Sequence, residues 1–198
     1  MNTPDFFDTV PAIIMQDRLA DFLGAAEDGI LEYTYLDAVK LAGHSCPTVA
    51  GAWLMCAKAL KELYPDEIPQ RGEIKVESAG ALDEGVNGVI GTVAGLITGA
   101  TNEGGFKGIN GNFSRNDKLL YGADIKGELR FTRLDTMKSV DVSYDPSSIP
   151  GSPLQMQLMQ KLMMKKATPE EAKEFGRLWQ ERVKRVLEAG DDLITVTP

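Results

Sequence analysis

The chain has 198 residues, a net charge of −8 at pH 7 from 21 Lys+Arg against 29 Asp+Glu, and 43% hydrophobic residues. This is enough for one domain with its own core, and the acidic balance excludes nucleic acid as the main partner, because phosphate recognition requires a basic surface. Two cysteines and a single histidine exclude a disulfide scaffold and any multi-histidine metal centre within one chain.

In chain order, residues 1–15 read as an irregular arm broken by Pro4 and Pro11. Asp5 and Asp8 stand where a signal peptide would carry basic residues, and no apolar segment follows. Residues 17–25 place Leu19, Ala20, Phe22 and Leu23 at helical spacing. A short strand is expected over 30–35, then a helical turn over 37–42 ending at Gly43. Val49, Ala50, Trp53, Leu54, Ala57, Leu60 and Tyr64 recur at three- and four-residue steps, so a helix over 47–64 is expected, ended by Pro65 and Pro69. Ile74, Val76 and Ser78 alternate with charged residues, as in a strand with one buried face.

Residues 86–100 form a second apolar helix candidate, glycine-rich and too short to cross about 30 Å of hydrocarbon. No membrane partner and a cytoplasmic setting are therefore expected. After a glycine-rich stretch, 127–133 and 139–144 alternate as two strands of a hairpin joined through 135–138. Pro146, Pro150 and Pro153 mark a loop. Two helices are expected beyond it, 154–166 and 168–189. The second opens on Thr168, Pro169 and Glu171, a capping box with proline in the first turn, and stops at Gly190. A last short strand fits 193–196. The division expected is an arm and helix over 1–29, a core over 30–145 and a helical extension over 146–198.

The strongest chemical feature is Gly43-His44-Ser45-Cys46-Pro47. Cys46 falls at the N-cap of the long helix and Pro47 in its first turn. The free N–H groups and the positive end of the macrodipole there favour a thiolate. His44, two residues earlier, supplies a nitrogen, and together they make half of an N/S site for zinc or another transition metal. Two other chemistries fit the same residues. Cys46 or His44 could be an axial ligand to haem, and Cys46 could be an activated redox thiol. Cys56 is a further ligand candidate, but ten helical residues rise about 15 Å, so it could share an ion with Cys46 only across a dimer interface.

The motif, with the glycine-containing amphipathic helix from Gly51 to Leu63 behind it, resembles the signature of the FmdE family, which takes its name from formylmethanofuran dehydrogenase. The strand over 73–77, the Thr98-Gly99-Ala100-Thr101 turn and the strand opening on Lys126-Gly127 follow in the family's order, over roughly residues 30–145. The resemblance implies an α+β fold, with helices packed on an antiparallel-containing sheet. It also implies an intertwined homodimer and a metal at His44 and Cys46. Here Ala42 stands where the family often has a second histidine, and residues such as Val89 and Thr92 where it has cysteine and aspartate. The paired cysteines of the zinc ribbon carried by some members are missing as well.

Other residues bear on a small-molecule or metal ligand. Asp83 and Glu84, before the second apolar helix, are substitute ligand candidates. Gly88, Gly91, Gly95 and Gly99 share a side of that helix, where close helix packing or a flat cofactor against Gly91 and Gly95 would offset glycine's cost. The loop over 102–112 lacks the ending of a phosphate-binding P-loop, yet Lys107 and Arg115 could hold an anionic ligand. Met156, Met159 and Met163 line one side of the first C-terminal helix, as an adaptable apolar surface or a haem wall.

Overall fold

The computed structural model describes residues 3–197; the first two residues of the expected arm and the C-terminal residue lie outside the described region. After a 3-10 turn over Asp5–Thr9 come β1 (Ile13–Gln16), α1 (Arg18–Phe22), β2 (Ile30–Tyr33), α2 (Tyr35–Ala42) and α3 (Pro47–Leu63). Then follow β3 (Ile74–Ser78), α4 (Asn87–Thr98), β4 (Leu119–Tyr121), β5 (Leu129–Arg133) and β6 (Ser139–Tyr144). The chain closes with α5 (Pro153–Met163), α6 (Pro169–Ala189) and β7 (Ile194–Thr197). This is an α+β protein, as the resemblance implies.

β1 and β2 pair as an antiparallel ribbon. The main sheet runs β4-β3-β5-β6-β7, with β3 and β4 parallel and the other neighbours antiparallel. Its register sets Val76 opposite Phe131 and Phe131 opposite Val140, with Leu129 opposite Val142. All five are buried. Alternation alone does not produce this row; the register does, since a slip of one residue would turn each apolar set outward.

α3 is the centre of the molecule. Pro47 sits in its first turn and Tyr64 closes it just before Pro65. β5, β6 and β7 lie on one side, α4 and α2 on another, and α6 on a third. Residues 49–56 are consequently buried all round, the pattern of an interior helix rather than a surface one. Trp53 meets Tyr35 edge-on at 6.1 Å, and Tyr35 meets Phe7 likewise at 5.2 Å.

The segment 146–198 is built into this core. β7 pairs with β6 through Val142 and Val196, and α6 is fixed at its start by the expected Thr168–Glu171 capping box. Val183 and Val186 from α6 join the central cluster.

Three local expectations change. The arm over 1–15 contains β1, because Ile13 and Met15 bury against the molecule once β2 is paired beside them. The helix over 17–25 shortens to α1, leaving Phe22 and Leu23 exposed. β4 was not anticipated: three residues of parallel strand carry no alternation to read.

Candidate metal site at the loop between α2 and α3

α2 begins with Asp37 Oδ2 accepting from both the N–H and the hydroxyl of Thr34, and ends at Gly43, whose φ of 74° is left-handed. Only glycine adopts that conformation without strain, and it reverses the chain after the helix. Cys46 then returns to extended geometry as the N-cap of α3, its Sγ accepting the Val49 N–H at 3.5 Å. A sulfur acceptor there satisfies one of the helix's free donors. The macrodipole and N–H groups expected around Cys46 are therefore in place, and its side chain is buried.

His44 lies on the exposed side of the same loop. Its Nδ1 is 2.9 Å from the Ala42 carbonyl. A carbonyl only accepts, so Nδ1 carries the proton and, in the neutral ring, Nε2 keeps its lone pair. Holding one ring nitrogen on a backbone carbonyl is how metal-ligating histidines are commonly oriented.

Ser45, between them, is clamped from three directions. Its Oγ shares a 3.0 Å hydrogen bond with Tyr35 Oη. Its carbonyl accepts from Trp179 Nε1 at 3.0 Å and Gln180 Nε2 at 3.1 Å. The Tyr144 ring fills the space beside Gly51, one turn into α3. Burial pushes the Tyr144 phenol up to about 12, although the nearby Arg182 works to lower it. Tyr144 Oη and Gln180 Oε1 are both buried with no hydrogen-bond partner among the described residues. Tyr144, Trp179 and Gln180 lie far along the chain from this loop, and no local sequence pattern links them to it.

Gly51 shows how tight this support is. A Cβ there would overlap the Tyr144 ring. Gly51→Ala is expected to cost about 1–3 kcal/mol by overpacking, read as a lower Tm, with Tyr144→Ala in the same chain recovering part of the loss.

The other candidates lie elsewhere. Cys56 is wholly buried in the interior of α3, where desolvation drives its thiol well above the ordinary range. Asp83 and Glu84 are exposed in the turn before α4, and Glu84 Oε2 accepts the Ala81 N–H at 3.4 Å. Among the described residues no three of His, Cys, Asp and Glu gather in a group that could hold an ion. The donor chemistry of His44 and Cys46 thus fits a transition metal, with no third His, Cys, Asp or Glu gathered beside them among the described residues.

The glycines of α4 are explained by the chain itself. A Cβ on Gly91 would overlap the Tyr121 hydroxyl, and one on Gly95 would meet the Ala100 carbonyl at 2.8 Å. Lys107 is exposed on its loop, whereas Arg115 is buried with Nη2 donating to Asp17 at 2.6 Å. Met156, Met159 and Met163 are exposed on α5. No helix among the described residues is long and apolar enough to cross a membrane.

Fold and loop together define an α+β protein whose central helix is capped by a cysteine two residues after a histidine. A family model described as "FmdE, Molybdenum formylmethanofuran dehydrogenase operon" matches residues 41–196. The chain belongs to the FmdE family, and the match runs through α5, α6 and β7 as well as the expected core. The family points to a metal-related role. A comparison with curated proteins finds no match.

Proposed function

We propose that this protein binds a transition metal, zinc by default, through His44 Nε2 and Cys46 Sγ. The observation that carries the reading is the pairing of a helix-capping sulfur with a histidine whose other nitrogen is held by the Ala42 carbonyl. A bound metal would supply Lewis-acid chemistry at whatever positions it keeps open. The chain's own part is to present one nitrogen and one sulfur on a loop held by Tyr35, Trp179 and Gln180.

Two ligands leave a tetrahedral shell half filled. We assign the remaining positions to water, a small-molecule ligand or a second copy of the chain, in a cytoplasmic homodimer. The surface beside the motif supports the second copy. Ala42, Val89 and Val93 line a cavity of about 200 Å³, and Leu41, Leu82 and Val86 are exposed. An apolar surface of this kind is a common mark of a contact between protomers.

Elemental analysis and a visible spectrum of freshly purified protein test the reading. The expected result is transition metal in the wild type, without colour. It falls to background in His44→Ala and Cys46→Ser, and both variants keep the wild-type helical content. Serine is a good N-cap, so Cys46→Ser removes the ligand while preserving the start of α3. Metal unchanged in both variants overturns the site, and a Soret band would replace the metal by haem.

A further inference from the structure

Away from the His44 loop, an open cleft of about 520 Å³ lies between α1, β2 and the glycine-rich loop, with Arg71 and Arg115 among its lining residues. Its walls include Leu23, Leu31 and Phe106. Its base is ionic. Asp17 accepts from Arg71 Nη1 at 2.9 Å and from Arg115 Nη2 at 2.6 Å. Asp17 is 3% exposed and Arg115 7%.

The charges there do not balance. Two guanidinium groups share one carboxylate, which leaves one net positive charge. Lys118 lies near enough to feel Arg115, but its Nζ donates to the Gly72 carbonyl and Glu73 offsets its charge, so the net count is unchanged. Arg71 also directs Nε and Nη2 to the Leu96 carbonyl. Arg115 is different: among the described residues only its Nη2 has an acceptor, and Nε and Nη1 have none. A largely buried guanidinium with free donors and an uncompensated charge is costly to leave so. It is also the group best suited to a planar anion.

We propose that this cleft binds a small-molecule monocarboxylate with an apolar body. One anionic head would neutralise the single excess charge of the Asp17–Arg71–Arg115 group, and the apolar body would cover Leu23, Leu31 and Phe106. Leu23 and Phe106 are 62% and 46% exposed, so the wall presents apolar surface to solvent. The volume falls in the range of small-ligand sites, about 300–1,000 Å³. A bare inorganic anion would leave the wall uncovered, and a neutral amphiphile would leave the charge.

Isothermal titration calorimetry on the full chain tests this with octanoate, octanol, acetate and inorganic phosphate as probes. Octanoate is expected to bind once per chain, at least tenfold tighter than each of the other three. Arg115 variants leave Asp17 poorly paired and could fail to fold, so the decisive variant is Leu23→Glu. It changes an exposed wall residue and sets a carboxylate against the ligand, and it should weaken octanoate tenfold or more with Tm unchanged. Octanol as tight as octanoate would remove the charge from the proposal. Acetate or phosphate as tight as octanoate would remove the wall. Octanoate affinity unchanged in Leu23→Glu, or no binding of any probe, overturns the site.

Discussion

Asp17→Ala is expected to be among the most damaging single substitutions in the molecule, lowering stability by about 3–5 kcal/mol, the cost of breaking a buried ion pair. Asp17 joins three parts of the fold. It caps α1 by accepting from the Leu19 and Ala20 N–H groups. It also takes Arg71 from the segment before β3 and Arg115 from the segment before β4. Without it two guanidiniums face each other with no carboxylate between them. For a chain of this length, each 1 kcal/mol moves Tm by about 2–4 °C, so the fall should be plain in calorimetry or thermal circular dichroism.

The same residue sets part of the acid response. Burial works to raise its pKa, but hydrogen bonding and charge from Arg71 and Arg115, with the Ala20 N–H, prevail and hold it below the ordinary 3.8. A carboxylate depressed in the folded state contributes stability that is fully present above 3.8 and is lost as pH falls through the lower, folded value. Wild-type stability should therefore fall in that acid window. Asp17→Asn, which cannot ionise, should start lower at neutral pH and lose less below about pH 4. Parallel acid limbs in the two proteins would refute this role.

A chain cut after Tyr144 is expected not to fold cooperatively. The cut removes β7 and leaves β6 as an unpaired edge. It also takes away Val183, Val186, Leu193 and Ile194, all buried in the central cluster around α3. Burial of a side chain of this size contributes about 1.5–3 kcal/mol, so the four together approach the whole stability of a typical domain, about 5–15 kcal/mol. Loss of Trp179 and Gln180 would free the Ser45 carbonyl as well. Urea melts and hydrogen exchange of the 1–144 chain check this; a sharp transition would show that α6 and β7 are accessory.

Much of the fold was legible because local physics writes it plainly. α3 announces itself through apolar residues at helical spacing, a proline in its first turn and a proline just after its end. β5 and β6 show alternation and a short connection, and Thr168 and Glu171 spell out a cap. The residues of the candidate site are equally local. Gly43, His44 and Cys46 lie within four positions of one another, and their roles as turn, ring donor and helix cap follow from backbone geometry near each. The family match follows the same motif through most of the chain.

The surroundings of that motif are a different matter. The C-terminal segment looked like an appendage because prolines precede it and its helices read as self-contained, yet Trp179 meets Ser45 across 134 positions of sequence. Arg115, beside a glycine-rich loop, reads from sequence as a group able to hold an anion. Its distance of 98 positions from Asp17 hid the carboxylate that takes one of its nitrogens. Helix period, strand alternation and caps act within a few residues, so a sequence carries them openly. Which distant side chains meet is set by sheet register and by the faces that α3 offers to α4, α6 and the sheet. No short-range pattern encodes those, and they determined that His44 and Cys46 stand on a loop anchored by the far end of the chain.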